Sequence, residues 1–362
     1  MTKKLMKGSE AIAEAAVQAG CKLFFGYPIT PQNEIPEYMS LRLPQIGGSF
    51  VQAESEVSAS NMIYGAAGTG ERVMTSSSSP GVSLMSEAIS YLAGAQLPVV
   101  IVNIVRAGPG LGGILPSQGD YFQATRGLGH GDFRVLVLAP WSIQEAADLV
   151  QDAFDLADYY RNPVMVLGDG LIGQMMEPVE FYEGRAPLKE LEAKQWATTG
   201  CDGSRPTNCI NSLFLDPGEL EQHNIFLKDK YDRIEREEVR VATDGTDDEY
   251  DVLVVAYGTV ARVCSTAIEE LREEGLKTAL VRPITLWPFP YKAVREAAEK
   301  AKTVLVVELS AGQMIEDVQL ALMGSRPIHF FNRMGGILVS PDEVVGKIKA
   351  IRDGSSEEVR HG

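Results

Sequence analysis

The sequence predicts an α/β protein with mainly parallel sheets, arranged in two domains. Helical and strand periods alternate from residue 8 to about residue 168, and the same alternation resumes at residue 251. The segment 98–105 is apolar throughout, as is typical of a strand in a parallel sheet that helices cover on both faces. A chain of 362 residues with 45% hydrophobic content is long enough for two separate cores.

The first domain is predicted over residues 1–180. A helix rich in small residues comes first, and the apolar strand after it breaks into the turn Gly-Tyr-Pro-Ile-Thr-Pro. We place Thr30 at the N-cap of the next helix and Pro31 at its first position, where a hydroxyl and a fixed backbone are favourable. Helices are predicted over 9–19, 31–43, 57–68, 82–93 and 143–157, and strands over 22–26, 49–53, 72–76, 99–105, 135–138 and 164–167.

A connector is predicted over residues 181–249 and a smaller α/β domain over 250–362. The periodicity fades after residue 177, where the composition turns to Asp, Glu, Lys, Pro and Gly. Because long irregular stretches are uncommon inside a compact domain, we place a domain boundary there. The second domain is predicted to contain a strand from residue 251, helices over 260–274, 291–301, 313–322 and 341–351, and strands over 277–281, 303–307 and 328–331.

Composition argues against several classes of protein. A formal charge of −16 disfavours nucleic acid as a partner. No stretch approaches the roughly 18 apolar residues of a membrane span, so we expect a cytoplasmic protein without a membrane partner. Cys21, Cys201, Cys209 and Cys264 form no Cys-x-x-Cys pair, so we expect neither a zinc site nor an iron–sulfur cluster in this chain. Cys201 and Cys209 are expected to be free thiols in a reducing cytoplasm.

Two glycine patterns suggest nucleotide or diphosphate binding. Residues 108–113 match G-x-G-x-x-G after a strand, but Pro109 lies inside the pattern and Pro116 follows where a dinucleotide site needs a helix. We therefore favour a mobile substrate loop over an NAD site. Residues 168–170, Gly-Asp-Gly, resemble the start of the diphosphate and magnesium motif of thiamine enzymes. The asparagine pair of that motif does not follow, which favours a strand-end turn.

Polar residues at the predicted strand ends are the candidates for chemistry. Glu54 and Glu56 follow one strand on the same face, and one of them is suited to exchange a proton, while the other stabilises the start of a helix. Arg106 ends the most apolar strand, either as a structural clamp on a neighbouring carboxylate or as a bidentate ligand for a substrate carboxylate. The turn 75–81 presents hydroxyls and helix amides that suit an anion or a helix cap. His130 has no identified partner and is left out of the catalytic set.

Together these segments resemble the α subunit of 2-oxoacid:ferredoxin oxidoreductases, and they are most similar to the branched-chain (2-ketoisovalerate) members. The likeness spans nearly the whole chain. The second domain looks like the transketolase C-terminal type. The segments that carry the resemblance are 26–31 (GYPITP), 53–56 (AESE), 75–81 (TSSSSPG), 106–110 (RAGPG), 116–121 (PSQGDY), 281–290 (VRPITLWPFP) and 308–314 (ELSAGQM).

The resemblance implies a thiamine diphosphate enzyme divided among subunits, with the pyrimidine-binding domain in this chain. A β subunit would hold the diphosphate and Mg²⁺, further subunits would carry iron–sulfur clusters, and electrons would pass to ferredoxin. The reaction would be oxidative decarboxylation of a 2-oxoacid to its acyl-CoA, with coenzyme A as co-substrate. The implied roles are catalysis by Glu56, which hydrogen-bonds the pyrimidine ring, cofactor binding by Tyr27, Pro28, Ile29 and Ser79, and substrate binding by Thr30 and Arg106.

Three alternatives stay open at this stage. The same chemistry could act on pyruvate or 2-oxoglutarate, and Arg126 or Arg134 could then bind the second carboxylate of 2-oxoglutarate. An NAD-dependent dehydrogenase built on 108–113 would bind nicotinamide as an isolated chain. A non-catalytic assembly subunit would tolerate substitution of Glu56 and Arg106.

Overall fold

The computed structural model describes residues 3–182 and 185–359. Its strands are β1 (Lys4–Lys7), β2 (Leu23–Gly26), β3 (Ser49–Gln52), β4 (Val73–Ser77), β5 (Val99–Val105), β6 (Leu136–Leu138), β7 (Pro163–Asp169), β8 (Met176–Val179), β9 (Val241–Asp244), β10 (Tyr250–Val255), β11 (Thr278–Pro283), β12 (Thr285–Trp287), β13 (Ala301–Glu308) and β14 (Ile328–Asn332). Its helices are α1 (Gly8–Gln18), α2 (Glu34–Gln45), α3 (Glu56–Gly68), α4 (Pro80–Gly94), α5 (Ile143–Tyr160), α6 (Gly170–Gln174), α7 (Pro217–Glu237), α8 (Gly258–Glu273), α9 (Tyr291–Glu299), α10 (Met314–Leu322) and α11 (Pro341–Arg352), with a π-helical turn at Gln123–Gly127.

A seven-stranded sheet forms the first domain, in the order β12-β6-β7-β5-β4-β2-β3. The strands run parallel except β12, which pairs antiparallel with β6. The central strands β5 and β7 are buried along their whole length, as the continuous apolar runs predict. Because β5, β4, β2 and β3 are consecutive neighbours, the loops that leave their carboxyl ends lie side by side, which is where ligands bind in open α/β sheets.

The second domain has a five-stranded sheet in the order β14-β13-β10-β11-β9. Successive residues of β10 face opposite sides of the sheet. Val252 and Val254 pack with α8 and α11 in one core, whereas Leu253 and Val255 face α9 and α10 in a core that continues into the first domain. The strands are parallel apart from the edge strand β9.

The two domains share elements and buried hydrogen bonds. Strand β12 leaves the second domain and extends the sheet of the first. The buried Thr259 hydroxyl at the start of α8 donates to Asp169 Oδ2 at 2.5 Å, and Asp169 Oδ1 caps α6 by accepting from the amides of Leu171 and Ile172. Burial raises the pKa of Asp169, while these hydrogen bonds favour its ionised form. Asp169 therefore serves as a helix cap and a contact between domains.

The predicted fold class is confirmed, but two local predictions are wrong. Helix α2 begins at Glu34 with Asn33 as N-cap, because residues 27–33 form an irregular loop with a cis peptide between Thr30 and Pro31. Thr30 is thus not a helix cap, and Pro31 precedes the helix. Within the predicted connector lie β9 and the 21-residue helix α7, which buries only Leu227, Tyr231 and Ile234. So narrow an apolar strip on a charged helix gives a weak periodic signal.

Among the described residues, none of the helices combines the length and apolar character of a membrane span. All four cysteines are free: Cys21 and Cys264 are buried, and Cys201 and Cys209 are exposed.

Candidate functional site

The loop after β2 forms one wall of the candidate site. Its first residues, Tyr27 and Pro28, are exposed, and Ile29 is half-buried. The buried Gln32 side chain fixes the loop to the sheet, because its Oε1 accepts from Ser76 Oγ at 2.5 Å and its Nε2 donates to the Tyr27 carbonyl at 3.4 Å. The loop is therefore held from below while its outer residues stay open.

Glu56 is the buried carboxylate of the site. It is the first residue of α3, whose N-cap, Ser55, accepts from the Ser58 amide at 3.1 Å. Glu56 is 5% exposed, and its carboxylate has no hydrogen bond to any residue in the described part of the chain. Glu54, in contrast, is exposed and bonded to the Ser58 hydroxyl. The two carboxylates thus have different surroundings: Glu56 is buried and Glu54 is exposed. The residues alone had left open which of the two exchanges a proton.

The hydroxyl-rich end of β4 faces Glu56. The hydroxyls of Thr75, Ser77 and Ser78 are buried and have no hydrogen-bond partner. An added Cβ on Gly81, in the first turn of α4, would stand 2.1 Å from Ser77 Oγ and 2.7 Å from Glu56 Oε1. A hydroxyl and a carboxylate oxygen therefore converge on one point that only a glycine leaves open. Unpaired buried hydroxyls of this kind can pair with a ligand or with an ordered water.

Ser79 connects this turn to Arg106. Its backbone has φ 27° and ψ −83°, an unusual conformation for a residue with a side chain. Ser79 Oγ makes no cap bond to α4 but accepts from the Arg106 amide at 3.0 Å. Helix capping, one of the two predicted explanations of this polar turn, is therefore wrong for the side chain of Ser79.

Arg106 lies directly after β5 and spans the mouth of the site. Its NH1 donates to the Thr30 carbonyl at 3.0 Å, and its NH2 donates to the Leu111 carbonyl at 3.1 Å. Its Nε is buried without a partner. Arg106 thus holds two loops through their backbone carbonyl oxygens. The sequence had predicted a carboxylate as the partner of such a clamp, and the structure gives carbonyl groups instead. Three of its five N–H groups, including Nε–H, remain without a partner among the described residues, and Thr30 is brought next to the guanidinium.

The glycine-rich segment 108–113 is an irregular loop, and no helix opens within the described residues that follow it up to 120. Its tip is apolar and exposed: Leu111 within the segment, and Ile114 and Leu115 directly after it, are all more than half exposed. The Rossmann-type geometry that an NAD site needs is therefore missing here.

Arg126 and Arg134 lie elsewhere. Both line a cavity of about 290 Å³ with Trp287 and Tyr291, and neither Thr30 nor Arg106 lines it. Arg126 donates to Asp317 Oδ1 at 2.7 Å and also pairs with Glu316. The structure thus gives neither arginine a place beside Arg106.

Two residues without a predicted role complete the site. Asn103 is fully buried near the end of β5, and its Nδ2 donates to Asp120 Oδ2 at 3.0 Å. Burial raises the pKa of Asp120, while hydrogen bonds from Ser79 and Asn103 and the charge of Arg106 favour its ionised form. The sequence did contain a signal for Asn103, because it is the one polar residue in the apolar strand Val-Val-Ile-Val-Asn-Ile-Val.

The arrangement suits a flat nitrogen heterocycle. A buried carboxylate can hydrogen-bond a ring nitrogen, the orphaned hydroxyls can pair with exocyclic groups, and the absence of a side chain at Gly81 lets Glu56 and Ser77 lie close together. Three exposed apolar residues follow the site segments in the chain, namely Tyr27, Val57 and Leu84. Within the described residues, no cluster of three His, Cys, Asp or Glu side chains could hold a metal ion.

Comparison with protein families matches the two halves of the chain separately. Residues 14–232 match the family described as pyruvate flavodoxin/ferredoxin oxidoreductase, thiamine diphosphate-binding. Residues 250–344 match the core domain II of pyruvate:ferredoxin oxidoreductase.

Curated relatives align over nearly the full length. The chain is 49% identical to the ketoisovalerate oxidoreductase subunit VorB of Methanothermobacter thermautotrophicus, over 99% of this chain and 100% of the relative. It is 37% identical to the 2-oxoglutarate synthase subunit KorA of the same organism, over 95% and 97% of the two chains.

Solved structures show the same architecture. The 2-oxoglutarate:ferredoxin oxidoreductase of Magnetococcus marinus, solved with 2-oxoglutarate, coenzyme A and succinyl-CoA bound, superposes with a TM-score of 0.84 at 26% identity. That alignment covers 96% of this chain and 65% of the longer solved chain. A split-gene transketolase, at 14% identity and a TM-score of 0.55, shares the fold alone.

Proposed function

Because this chain belongs to the thiamine-dependent 2-oxoacid:ferredoxin oxidoreductase family, we propose that it supplies the pyrimidine half of the cofactor site in such an enzyme. The enzyme oxidatively decarboxylates a branched-chain 2-oxoacid to its acyl-CoA and passes the electrons to ferredoxin. The family that the sequence motifs predicted is confirmed by these comparisons. The residue roles below are our proposals.

The observation that carries the proposal is the Glu56 carboxylate, which is buried, has no partner within the described residues and lies against Gly81. When bound, thiamine diphosphate supplies the nucleophilic carbon and the electron sink for decarboxylation. Glu56 would hold the pyrimidine ring through a hydrogen bond to a ring nitrogen, and its carboxylate would exchange a proton with that nitrogen. We assign cofactor binding to Tyr27, Pro28 and Ile29 of the loop after β2 and to Ser79 of the turn before α4.

Arg106 and Thr30 bind the 2-oxoacid in our proposal. The terminal N–H groups of Arg106 that the two loop carbonyls leave free are charged, exposed donors, from which a substrate carboxylate can accept. Thr30 is placed beside it by the bond between its carbonyl and NH1. The site is bounded by two loops that the same guanidinium holds, so substrate binding and loop position are linked.

The chain works with partner subunits, since its relatives are named as subunits of multi-subunit enzymes. We assign the diphosphate and Mg²⁺ to a β subunit, because both carboxylate oxygens of Asp169 in Gly-Asp-Gly are already used by α6 and Thr259. Iron–sulfur clusters are assigned to further subunits.

The preferred substrate is a branched-chain 2-oxoacid such as 3-methyl-2-oxobutanoate. Arg126 is engaged with Asp317, and Arg134 lines the same separate cavity, so neither favours a second carboxylate beside Arg106. The apolar tip of the 108–113 loop, which Arg106 holds through Leu111, suits an aliphatic side chain. Both observations favour this substrate over 2-oxoglutarate.

A substrate panel tests this function. The chain is co-purified with its partner subunits, the complex is analysed for thiamine diphosphate, and ferredoxin reduction is measured with 3-methyl-2-oxobutanoate, 2-oxoglutarate and pyruvate. We expect the branched-chain acid to give a kcat/KM at least about tenfold above the other two. The second carboxylate of 2-oxoglutarate would be buried without a partner, and pyruvate lacks the methyl groups that fill an apolar pocket. A preference for 2-oxoglutarate would contradict the substrate assignment.

Replacing Arg106 should weaken oxoacid binding. In the assembled complex, Arg106→Ala is expected to raise the KM for the oxoacid by about 10- to 100-fold, as for the loss of a hydrogen bond to a charged group. Arg106→Lys keeps the charge but cannot hold both loop carbonyls, so its KM for the oxoacid should lie between those of the wild type and Arg106→Ala. Arg134→Ala is the matched control, since its exposed guanidinium makes no ion pair in the described structure. An unchanged KM in Arg106→Ala would count against the assignment.

A further inference from the structure

A chain of buried polar contacts runs from the second domain to the Ser79 turn. Asp120 Oδ2 accepts from Asn103 Nδ2 at 3.0 Å, and Asn103 Oδ1 accepts from the Ser79 amide at 3.1 Å. Asn103 lies within an otherwise apolar strand and is fully buried. Asp120 can only accept hydrogen bonds when ionised, so it fixes the orientation of the Asn103 amide. The Asn103 oxygen is then directed at Ser79.

The Ser79 turn controls both halves of the site. Its backbone conformation is sparsely populated for a residue with a side chain, and such conformations persist only when neighbouring groups hold them. Ser79 Oγ binds the Arg106 amide, and Gly81, two residues further along, lies against Glu56. A shift of this turn would therefore move Arg106 and the wall of the Glu56 pocket together.

The second domain holds Asp120 from both sides. Before it in the chain, the Gln118 amide donates to the Leu309 carbonyl at 2.9 Å, and the Leu309 amide donates to Gln118 Oε1 at 3.0 Å. After it, Gln313 accepts from the Phe122 amide and donates to the Gly119 carbonyl, both at 2.7 Å. The segment carrying Asp120 is thus anchored to residues 309–313 of the second domain.

We infer that Asp120 is a positioning residue: through Asn103 and through its own hydrogen bond from Ser79 it holds the Ser79 turn, and so aligns Arg106 and Glu56, while the second domain fixes the position of Asp120. The inference rests on the proposed function for the roles of Arg106 and Glu56. It gives the second domain a part in the reaction, although within the described residues the candidate site draws its side chains from the first domain.

The test compares Asp120→Ala with Asp120→Asn in the assembled complex. Asp120→Ala removes the acceptor and should raise both the KM for the oxoacid and the dissociation constant for thiamine diphosphate, measured by calorimetry, by about tenfold. Asp120→Asn keeps an acceptor for Asn103 and should stay within about threefold of the wild type. Asp132→Ala is the matched control, because this exposed aspartate makes no hydrogen bond in the described structure.

Hydrogen exchange gives a readout that needs no cofactor. In the cofactor-free complex, the amides of Ser79, Gly81 and Val82 should exchange faster in Asp120→Ala than in Asp120→Asn or the wild type. If Asp120→Ala does not assemble, Gln313→Ala, which releases the anchored segment, should raise the same two constants. The wild-type complex could lack oxoacid activity while the amides of Asp120→Ala still exchange faster than those of the wild type. That result would refute the proposed function and leave the positioning role of Asp120 intact.

Three results would overturn the inference. Unchanged KM, thiamine diphosphate affinity and amide exchange in Asp120→Ala would show that Asp120 holds nothing that matters to the site. A lower melting temperature alone, with both constants unchanged, would assign it a purely structural role. An Asp120→Asn variant as impaired as Asp120→Ala would mean that the charge, and not the acceptor, is required.

Discussion

Glu56→Gln in the assembled complex is expected to bind thiamine diphosphate and to slow exchange of its C2 proton by at least about 100-fold, the lower range for the loss of acid–base catalysis. The carboxylate is buried and has no partner in the described residues, so the pyrimidine ring is its partner in the proposed complex. An amide of the same shape can still hydrogen-bond the ring but cannot share a proton with it. The measurement is C2 exchange followed by NMR after rapid quenching, with subunit assembly checked on the same sample.

Glu54→Gln provides the matched control for this variant. Glu54 lies two residues earlier in the same segment, but it is exposed and its carboxylate bonds Ser58. We expect wild-type exchange and wild-type turnover from it. Near-normal C2 exchange in Glu56→Gln would refute the role of Glu56 and, with it, the central step of the proposed function.

The parts of the site that could be predicted from the sequence are those that end a strand. The turn after β2, Glu56 after β3, the hydroxyls at the end of β4 and Arg106 after β5 each follow an apolar run. Parallel strands carry their carboxyl ends to one edge of a sheet, so elements that are distant in sequence meet there. The strand order that makes these four loops neighbours was not predicted, because strand pairing depends on contacts between segments far apart in the chain.

The partners of these residues were not predictable from local pattern. Arg106 holds the carbonyls of Thr30 and Leu111, and backbone carbonyls leave no mark in a sequence. Asp120 was part of a recognised motif, but its role depends on Asn103 and on Gln313 of the other domain. Such long-range polar contacts are fixed by tertiary packing, whereas periodicity reports only which face of an element is buried.

The dependence on tertiary packing also explains why helix α7 in the connector and strand β12 at the domain junction were not predicted. Helix α7 is long but mostly polar, because it lies on the surface and buries a single narrow strip. Strand β12 has three residues and pairs with a strand of the other domain. Short strands and polar surface helices carry little periodic information of their own, so only the packed structure reveals them.

Gly81→Ala is expected to lower the activity of the assembled complex by about 100-fold, the loss that a displacement near 1 Å can cause in a catalytic group. The added Cβ would stand 2.1 Å from Ser77 Oγ and 2.7 Å from Glu56 Oε1, so the carboxylate must move away from its position against α4. Alanine is otherwise favourable in a helix, by about 1 kcal/mol over glycine, so the fold itself should survive. The measurements are oxoacid-dependent ferredoxin reduction, thiamine diphosphate affinity and the melting temperature.

Gly346→Ala separates this effect from a general response to the substitution. Gly346 lies in helix α11 of the second domain, and a Cβ added there has no heavy atom within 4 Å. The same chemical change should therefore leave activity and cofactor affinity unaltered while raising stability slightly. If Gly81→Ala retained full activity, Glu56 would have to tolerate displacement, and the close fit between α3 and the first turn of α4 could not be what orients the carboxylate toward the pyrimidine.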